Sequence, residues 1–172
     1  KPGDALTVYE SALQLNADSA TLHKKIADLK ADRDSAETLI EKGKAQLEDY
    51  KYKAAHETFQ QALALKPDSK NARYYEHLSE GLILYKKGSD RALWDAITEF
   101  GYASVVFPER AKPYYYMGLA YHKKDKNEYE NAIEAFEKAA ALEPDSKYGK
   151  HARQQANELR AHRKKMQEFW GE

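Results

Sequence analysis

The 172-residue chain has no cysteine, which removes disulfides and thiolate metal sites at once. Exported and cytosolic proteins both tolerate that absence, so the compartment stays unread. Net charge is also missing. Lys plus Arg and Asp plus Glu are 28 each, so no general attraction to nucleic acid or anionic lipid is expected. Long apolar runs are absent too: nothing approaches the roughly 20 residues that cross a bilayer. The start at Lys1-Pro2-Gly3, without Met, predicts a processed or truncated piece from which any signal peptide has gone. What remains is 33% charged and 42% hydrophobic, a balance suited to a helical, water-facing chain and long enough for one domain with a core.

Within this plain composition three segments repeat. Gly43, Ala55, Phe59, Ala62 and Pro67 form the first set. Gly81, Ala96, Phe100, Ala103 and Pro108 form the second, and Gly118, Ala132, Phe136, Ala139 and Pro144 the third. In every set Ala to Phe is 4 residues, Ala to Ala 7 and Ala to Pro 12. Steps of 4 and 3 place Ala, Phe and Ala on one helical stripe. The small Ala lets a second helix approach the Gly of the first, the Phe fills the gap a turn later, and the Pro ends the helix.

This pattern resembles the tetratricopeptide-repeat family, a helix–turn–helix unit with Gly, Ala, Phe and Pro at these relative places. The resemblance covers about residues 36–146 and implies an all-α fold, an α-solenoid of about three full repeats. It departs in spacing: Gly to Ala is 12, 15 and 14 residues in the three copies. The turns around Lys87–Leu93 and Lys124–Glu130 therefore carry insertions, which loops accept at small cost. The family's large first-helix aromatic is replaced by Leu39 in the first copy and Tyr114 in the third.

The ends extend the scheme. Ala5, Tyr9 and Ala12 repeat the second-helix intervals, with Ala17 in the place of Pro and Asp4 as a helix cap. Leu22, Ile26, Leu29, Ala36, Ile40 and Leu47 follow a 4-3 register, with Arg33 and Gly43 in the remaining slots, and one long helix from about Ser19 to Asp49 explains them. The run Asp32-Arg33-Asp34-Ser35 leaves room for a break instead. The register packs against residues 5–17 in one reading and forms a dimer seam in the other. After Pro144, Tyr148, Ala152, Ala156, Leu159, Met166 and Phe169 or Trp170 mark one side of an amphipathic, basic helix that caps the stack. Residues 1–172 are thus expected to form a single helical repeat domain. Its parts are a preceding half repeat (5–17), a long helix leading into repeat one (19–69), repeat two (70–110), repeat three (111–146) and a capping helix (147–170).

In the resembling family the first helices line a concave surface that binds other proteins. Carried onto this sequence, the inward positions are Glu37, Ile40, Lys44, Leu47 and Glu48 in copy one. They are Tyr75, Leu78, Leu82, Tyr85 and Lys86 in copy two, and Lys112, Tyr115, Leu119, His122 and Lys123 in copy three. Apart from Glu37, Leu47 and Glu48, these residues make an apolar, aromatic groove flanked by lysines. The resemblance implies a protein partner there, an amphipathic helix or extended peptide with apolar anchors and some acidic residues. Members that grip chaperone C-termini need Lys and Asn, then Asn, then Lys and Arg, where this chain has Ile40, Lys44, Ser79, Lys112 and Tyr116. Only Lys112 fits, so chaperone tails are not expected.

No chemistry is indicated. The chain has no phosphate-cradling Gly loop, nucleophile elbow or paired-His metal motif. Its six His are scattered, and its carboxylates read as solvated helix faces with partners such as Glu134 and Lys138. No catalytic residue, cofactor or metal is expected. The main reading is a non-enzymatic interaction scaffold. Its rival is an assembly module, a homo-oligomer joined through the N-terminal heptads or open-ended repeats. A third reading, nucleic-acid or membrane-surface binding through the basic last helix, lacks any stacking pattern and is not expected.

Overall fold

A computed structural model describes residues 5–15, 19–124 and 129–170. Among them are eight helices and no strand: α1 (Ala5–Leu15), α2 (Ala20–Glu48), α3 (Tyr52–Leu65), α4 (Lys70–Lys87), α5 (Asp90–Val106), α6 (Ala111–Lys124), α7 (Glu130–Leu142) and α8 (Lys147–Trp170). The proposed cap Asp4, the stop at Ala17-Asp18 and the insertion at 125–128 lie outside the described residues.

Serine starts four of these eight helices. Ser19, Ser69, Ser89 and Ser146 each accept a hydrogen bond from the backbone N–H three residues on, at 3.3, 3.2, 3.3 and 3.0 Å. This satisfies one of the donors a helix start leaves open. Helix α6 has a long-range substitute: Ala111 donates its N–H to Glu143 Oε2 at 3.0 Å, tying the start of repeat three to its end. Residues 20–48 form one helix without a break. Arg33 is half-buried there and turns its guanidinium to Asp34, at 3.1 and 3.2 Å, so the core slot receives only its aliphatic stem.

Consecutive helices pair antiparallel, and the Gly–Phe spacing is what lets them close. A Cβ added to Gly43 would lie 2.5 Å from the Phe59 ring, one at Gly81 2.5 Å from Phe100, and one at Gly118 2.6 Å from Phe136. The phenyl ring itself therefore occupies the space above each glycine. This corrects the expectation that Ala meets the Gly and Phe fills a gap one turn on. The flanking Ala55, Ala62, Ala96, Ala103, Ala132 and Ala139 are fully buried and bring the next helix close on either side.

Curvature follows from which helices meet. The first helices of successive repeats, α2, α4, α6 and α8, touch one another in sequence; α3, α5 and α7 contact only their chain neighbours. First helices thus form the inner, concave layer. Helix α8 closes the stack with Ala152, Ala156 and Leu159 buried against α6 and α7. Its outer turns hold Glu137 and Glu130 through Arg160 and Arg163. Met166 and Phe169 do not join the apolar side: they are 38% and 77% exposed, because α8 runs on past the start of the shorter α7. The Trp170 side chain lies outside the described part. No helix among the described residues is long and apolar enough to cross a membrane.

Candidate partner-binding groove

The concave layer encloses a hollow of about 630 Å³. Its floor is apolar: Leu47 and Leu82 are buried beneath it, and Leu119 is half-buried at its side. Its walls are aromatic. Tyr52 stands at the start of α3, Tyr115 and Tyr116 come from α6, and Tyr148 comes from the first turn of α8. The rings brace one another, Tyr115 at 5.3 Å from Tyr116 and 5.5 Å from Tyr148, and Tyr116 at 5.9 Å from Tyr148. Phe100 stacks under Tyr116 at 5.5 Å, so the wall stands directly on the repeat core. Burial pushes the phenols of Tyr52, Tyr115, Tyr116 and Tyr148 above their ordinary range, so they remain neutral hydroxyls, able to donate and accept.

One cation is set into this wall. Burial lowers the Lys112 ammonium from 10.5 to about 8, with Lys147 and Arg110 pushing the same way and Glu48 opposing. Its Nζ lies 5.3 Å over the Tyr148 ring, and among the described residues it has no carboxylate at ion-pair distance. A partly desolvated ammonium without a counter-ion favours an incoming anion.

A second hollow, of about 740 Å³, opens on the edge where first helices turn into second helices. Tyr50 and Tyr52 line both hollows and form the ridge between them. Tyr50 is 71% exposed and holds a left-handed φ of 60°, which favours glycine or asparagine. The equivalent position of the next repeat, Gly88, carries φ 72° without that cost.

The twelve residues singled out from the sequence separate into groups. Lys112, Tyr115, Leu119 and Leu82 meet in the concave hollow. Lys86 lines the edge hollow. Ile40 and Leu78 are 7% and 0% exposed and belong to the core, so they support the wall and do not present a surface, while Leu82, 3% exposed, is a core residue that reaches the hollow only as its floor. The four-residue step that turns them inward also points them at the neighbouring helix pair. Lys44 and Tyr75 stand apart from the hollow: Lys44 holds Glu41 at 2.9 Å, and Tyr75 stacks on Phe59 at 5.3 Å beside Arg110. Lys123 donates to the Tyr85 carbonyl at 3.0 Å and lies 4.6 Å over its ring. His122 faces Tyr129, at 6.4 Å between rings.

Tyr52, Tyr116, Lys147, Tyr148 and His151 were not anticipated. For two of them a signal existed. Pro108 precedes Lys112 by 4 residues and Tyr115 by 7; the same steps from Pro144 reach Tyr148 and His151. Helix α8 thus carries the inner positions of a further first helix as well as closing the stack.

Elsewhere, His56 lies 3.8 Å from Glu80 and His77 2.8 Å from Glu99, bridging neighbouring helices. Among the described residues, no three His, Asp or Glu side chains converge to hold a metal ion.

Residues 111–146 match the family described as tetratricopeptide repeat. No curated protein matches the chain. Among solved structures, the TPR domain of Arabidopsis OM64 is similar at TM-score 0.55 and 20% identity, over 76% of this chain and 98% of that one. The first TPR of Spaghetti (RPAP3), bound to the HSP90 peptide SRMEEVD, is similar at 0.54 and 18%, over 76% and 94%. MamA from Desulfovibrio magneticus RS-1, residues 41 to the end, is similar at 0.50 and 25%, over 98% and 96%. These likenesses establish the all-helical tetratricopeptide solenoid as the fold.

Proposed function

We propose, from the premise that this is a tetratricopeptide-repeat chain, that it is a non-enzymatic scaffold holding a segment of another protein in its concave groove. The observation that carries this reading is the hollow of about 630 Å³ walled by tyrosines around the unneutralised Lys112. Aromatic side chains give large contact area with a polar tip, the combination that dominates protein interfaces. The apolar floor suits Leu- or Phe-like anchors, and Lys112 suits one acidic residue beside them. An amphipathic helix or an extended peptide fits this description, and the Spaghetti domain's peptide is a precedent for a bound segment in the same fold.

The test is affinity capture from an extract of the source cells, comparing the chain with a Tyr115→Ala/Lys112→Met variant of matched melting temperature. A protein retained by the first and lost by the second is expected. Equal retention would remove the groove from the interface. Leu82→Asp is not a usable probe, because it would bury an unpaired carboxylate in the core.

The assembly reading keeps one observation in its favour: Val8 and Leu15 of α1 are 58% and 90% exposed on the outer half repeat. Light scattering across a concentration range separates the two. A monomer supports recruitment of a partner, and a defined oligomer supports assembly.

A further inference from the structure

We infer that the lysine-lined hollow at the turn edge is a second binding site, taking a run of Asp and Glu side chains that continues from the segment held in the concave groove. The inference rests on the groove reading above and adds to it the class of partner: an apolar anchor followed by an acidic stretch.

Three observations carry it. The first is charge. Lys51 and Lys53 come from the α2–α3 turn and α3, and Lys86 and Lys87 from the end of α4, around a hollow floored by Ile83. Lys51 holds Asp49 at 2.8 Å, while Lys53, Lys86 and Lys87 are exposed and, among the described residues, form no ion pair. In a chain whose total charge is zero, this concentration of one sign is local. Three like charges around one concavity repel each other and are relieved by an anion.

The second is continuity. Tyr50 and Tyr52 belong to both hollows, with their rings 6.2 Å apart edge to face. A segment leaving the groove past Tyr52 passes directly among the lysines.

The third is Tyr50 itself. It accepts a left-handed backbone that Gly88 takes without strain at the equivalent turn, and it leaves most of its ring in solvent. That arrangement costs stability and returns only an edge contact with Tyr52, as is usual where a residue is kept for contact with a ligand.

The same lysines could attract a nucleic acid, but the observations favour protein. The hollow opens onto an apolar groove containing Leu82 and Leu119, which receives aliphatic side chains and offers nothing to a phosphodiester chain. Glu48 and Asp49 at the ridge repel a continuous polyanion and leave room for spaced carboxylates.

The experiment is selection of random dodecapeptides displayed on phage against three forms of the whole chain. These are the unaltered chain, a Lys53→Glu/Lys86→Glu/Lys87→Glu variant and a Tyr115→Ala/Leu119→Ala variant, all checked for helicity and melting. If the charge reversal does not fold, the Lys→Gln counterpart replaces it. The unaltered chain is expected to select apolar residues flanked on one side by Asp and Glu. The lysine variant keeps the apolar part and loses the acidic bias, and synthetic copies of the selected peptides bind it about tenfold more weakly at low salt. Apolar peptides without acidic bias, or a bias that survives in the lysine variant, overturn the inference and leave the groove reading intact. Selection unchanged in the Tyr115→Ala/Leu119→Ala form, or no selection by any form, overturns the groove reading and this one with it. A fluorescein-labelled single-stranded oligonucleotide bound by the unaltered chain and lost with the lysines, in place of acidic peptides, assigns the hollow to nucleic acid.

Discussion

The interiors of the helix pairs and the wall of the groove are built from the same helices and follow opposite rules. Inside, three copies use one solution: a glycine on the first helix, a phenyl ring closed over it from the second, and alanines on either side. On the wall and the turn edge the copies diverge, with only Leu82 and Leu119, and Lys86 and Lys123, repeating at matching inward positions. The left-handed turn residue is Tyr50 in one repeat and Gly88 in the next, and the groove cation Lys112 has Tyr148 at the matching place in α8. Uniform interiors hold the stack, and they leave the inner wall free to vary residue by residue. A substitution inside a pair should therefore act on stability, and one on the wall should act on binding.

The strongest challenge to that division is Phe100→Ala. Removing a fully buried ring leaves a cavity above Gly81 and should cost about 4 kcal/mol in urea denaturation. Phe59→Ala and Phe136→Ala should cost about the same if the three interiors are equivalent. A copy that loses far less would show its pair already supported from elsewhere. Gly81→Ala tests the same contact from the other side. Its new Cβ would lie 2.5 Å from Phe100, a ring with no room to retreat, and the net loss should be about 1 to 2 kcal/mol despite the better helix propensity of alanine.

On the wall, Lys112 predicts two pH effects of opposite sign. Its ammonium is lowered in the folded chain to about 8, while the unfolded chain keeps the ordinary 10.5. Between those values the unfolded state holds more protons, so raising the pH through that window should add stability. The same rise removes the charge that attracts an acidic partner, so affinity should fall by up to about tenfold between pH 7 and 9, with proton uptake on binding near pH 8. Calorimetry in buffers of different ionisation enthalpy measures that uptake. Its absence, or its persistence in Lys112→Met, would detach Lys112 from the partner. The smallest effect should come from Tyr50→Gly, which relieves the left-handed strain and gains about 0.5 to 1 kcal/mol in thermal melting. Selected peptides should bind this more stable variant less well. A gain in stability without loss of binding would leave Tyr50 with no role on the ridge.

The fold was legible because its cause is local and periodic. Alanine, phenylalanine and proline at intervals of 4, 7 and 12 are a packing instruction written three times, and insertions in the turns do not disturb it. The groove was legible only in part. The resemblance to a repeat family implies which way a side chain leaves each first helix, and Tyr115, Leu119 and Lys112 of the positions it marks line the hollow. It does not say how far the neighbouring pair reaches, and so Leu78 and Leu82 proved to be core. The contribution of α8 was missed because a terminal helix without a partner helix of its own reads as a cap, although Tyr148 and His151 stand at the steps from Pro144 that mark the inner face.

The sequence by itself determined that this chain folds into paired helices and which residues close each pair, because those choices depend on side-chain size at fixed helical spacing. Tertiary structure alone decided what faces the hollow. Whether a tyrosine becomes wall or core, and whether Lys112 finds a counter-ion, depends on the angle and reach of helices distant in sequence, which no local pattern encodes.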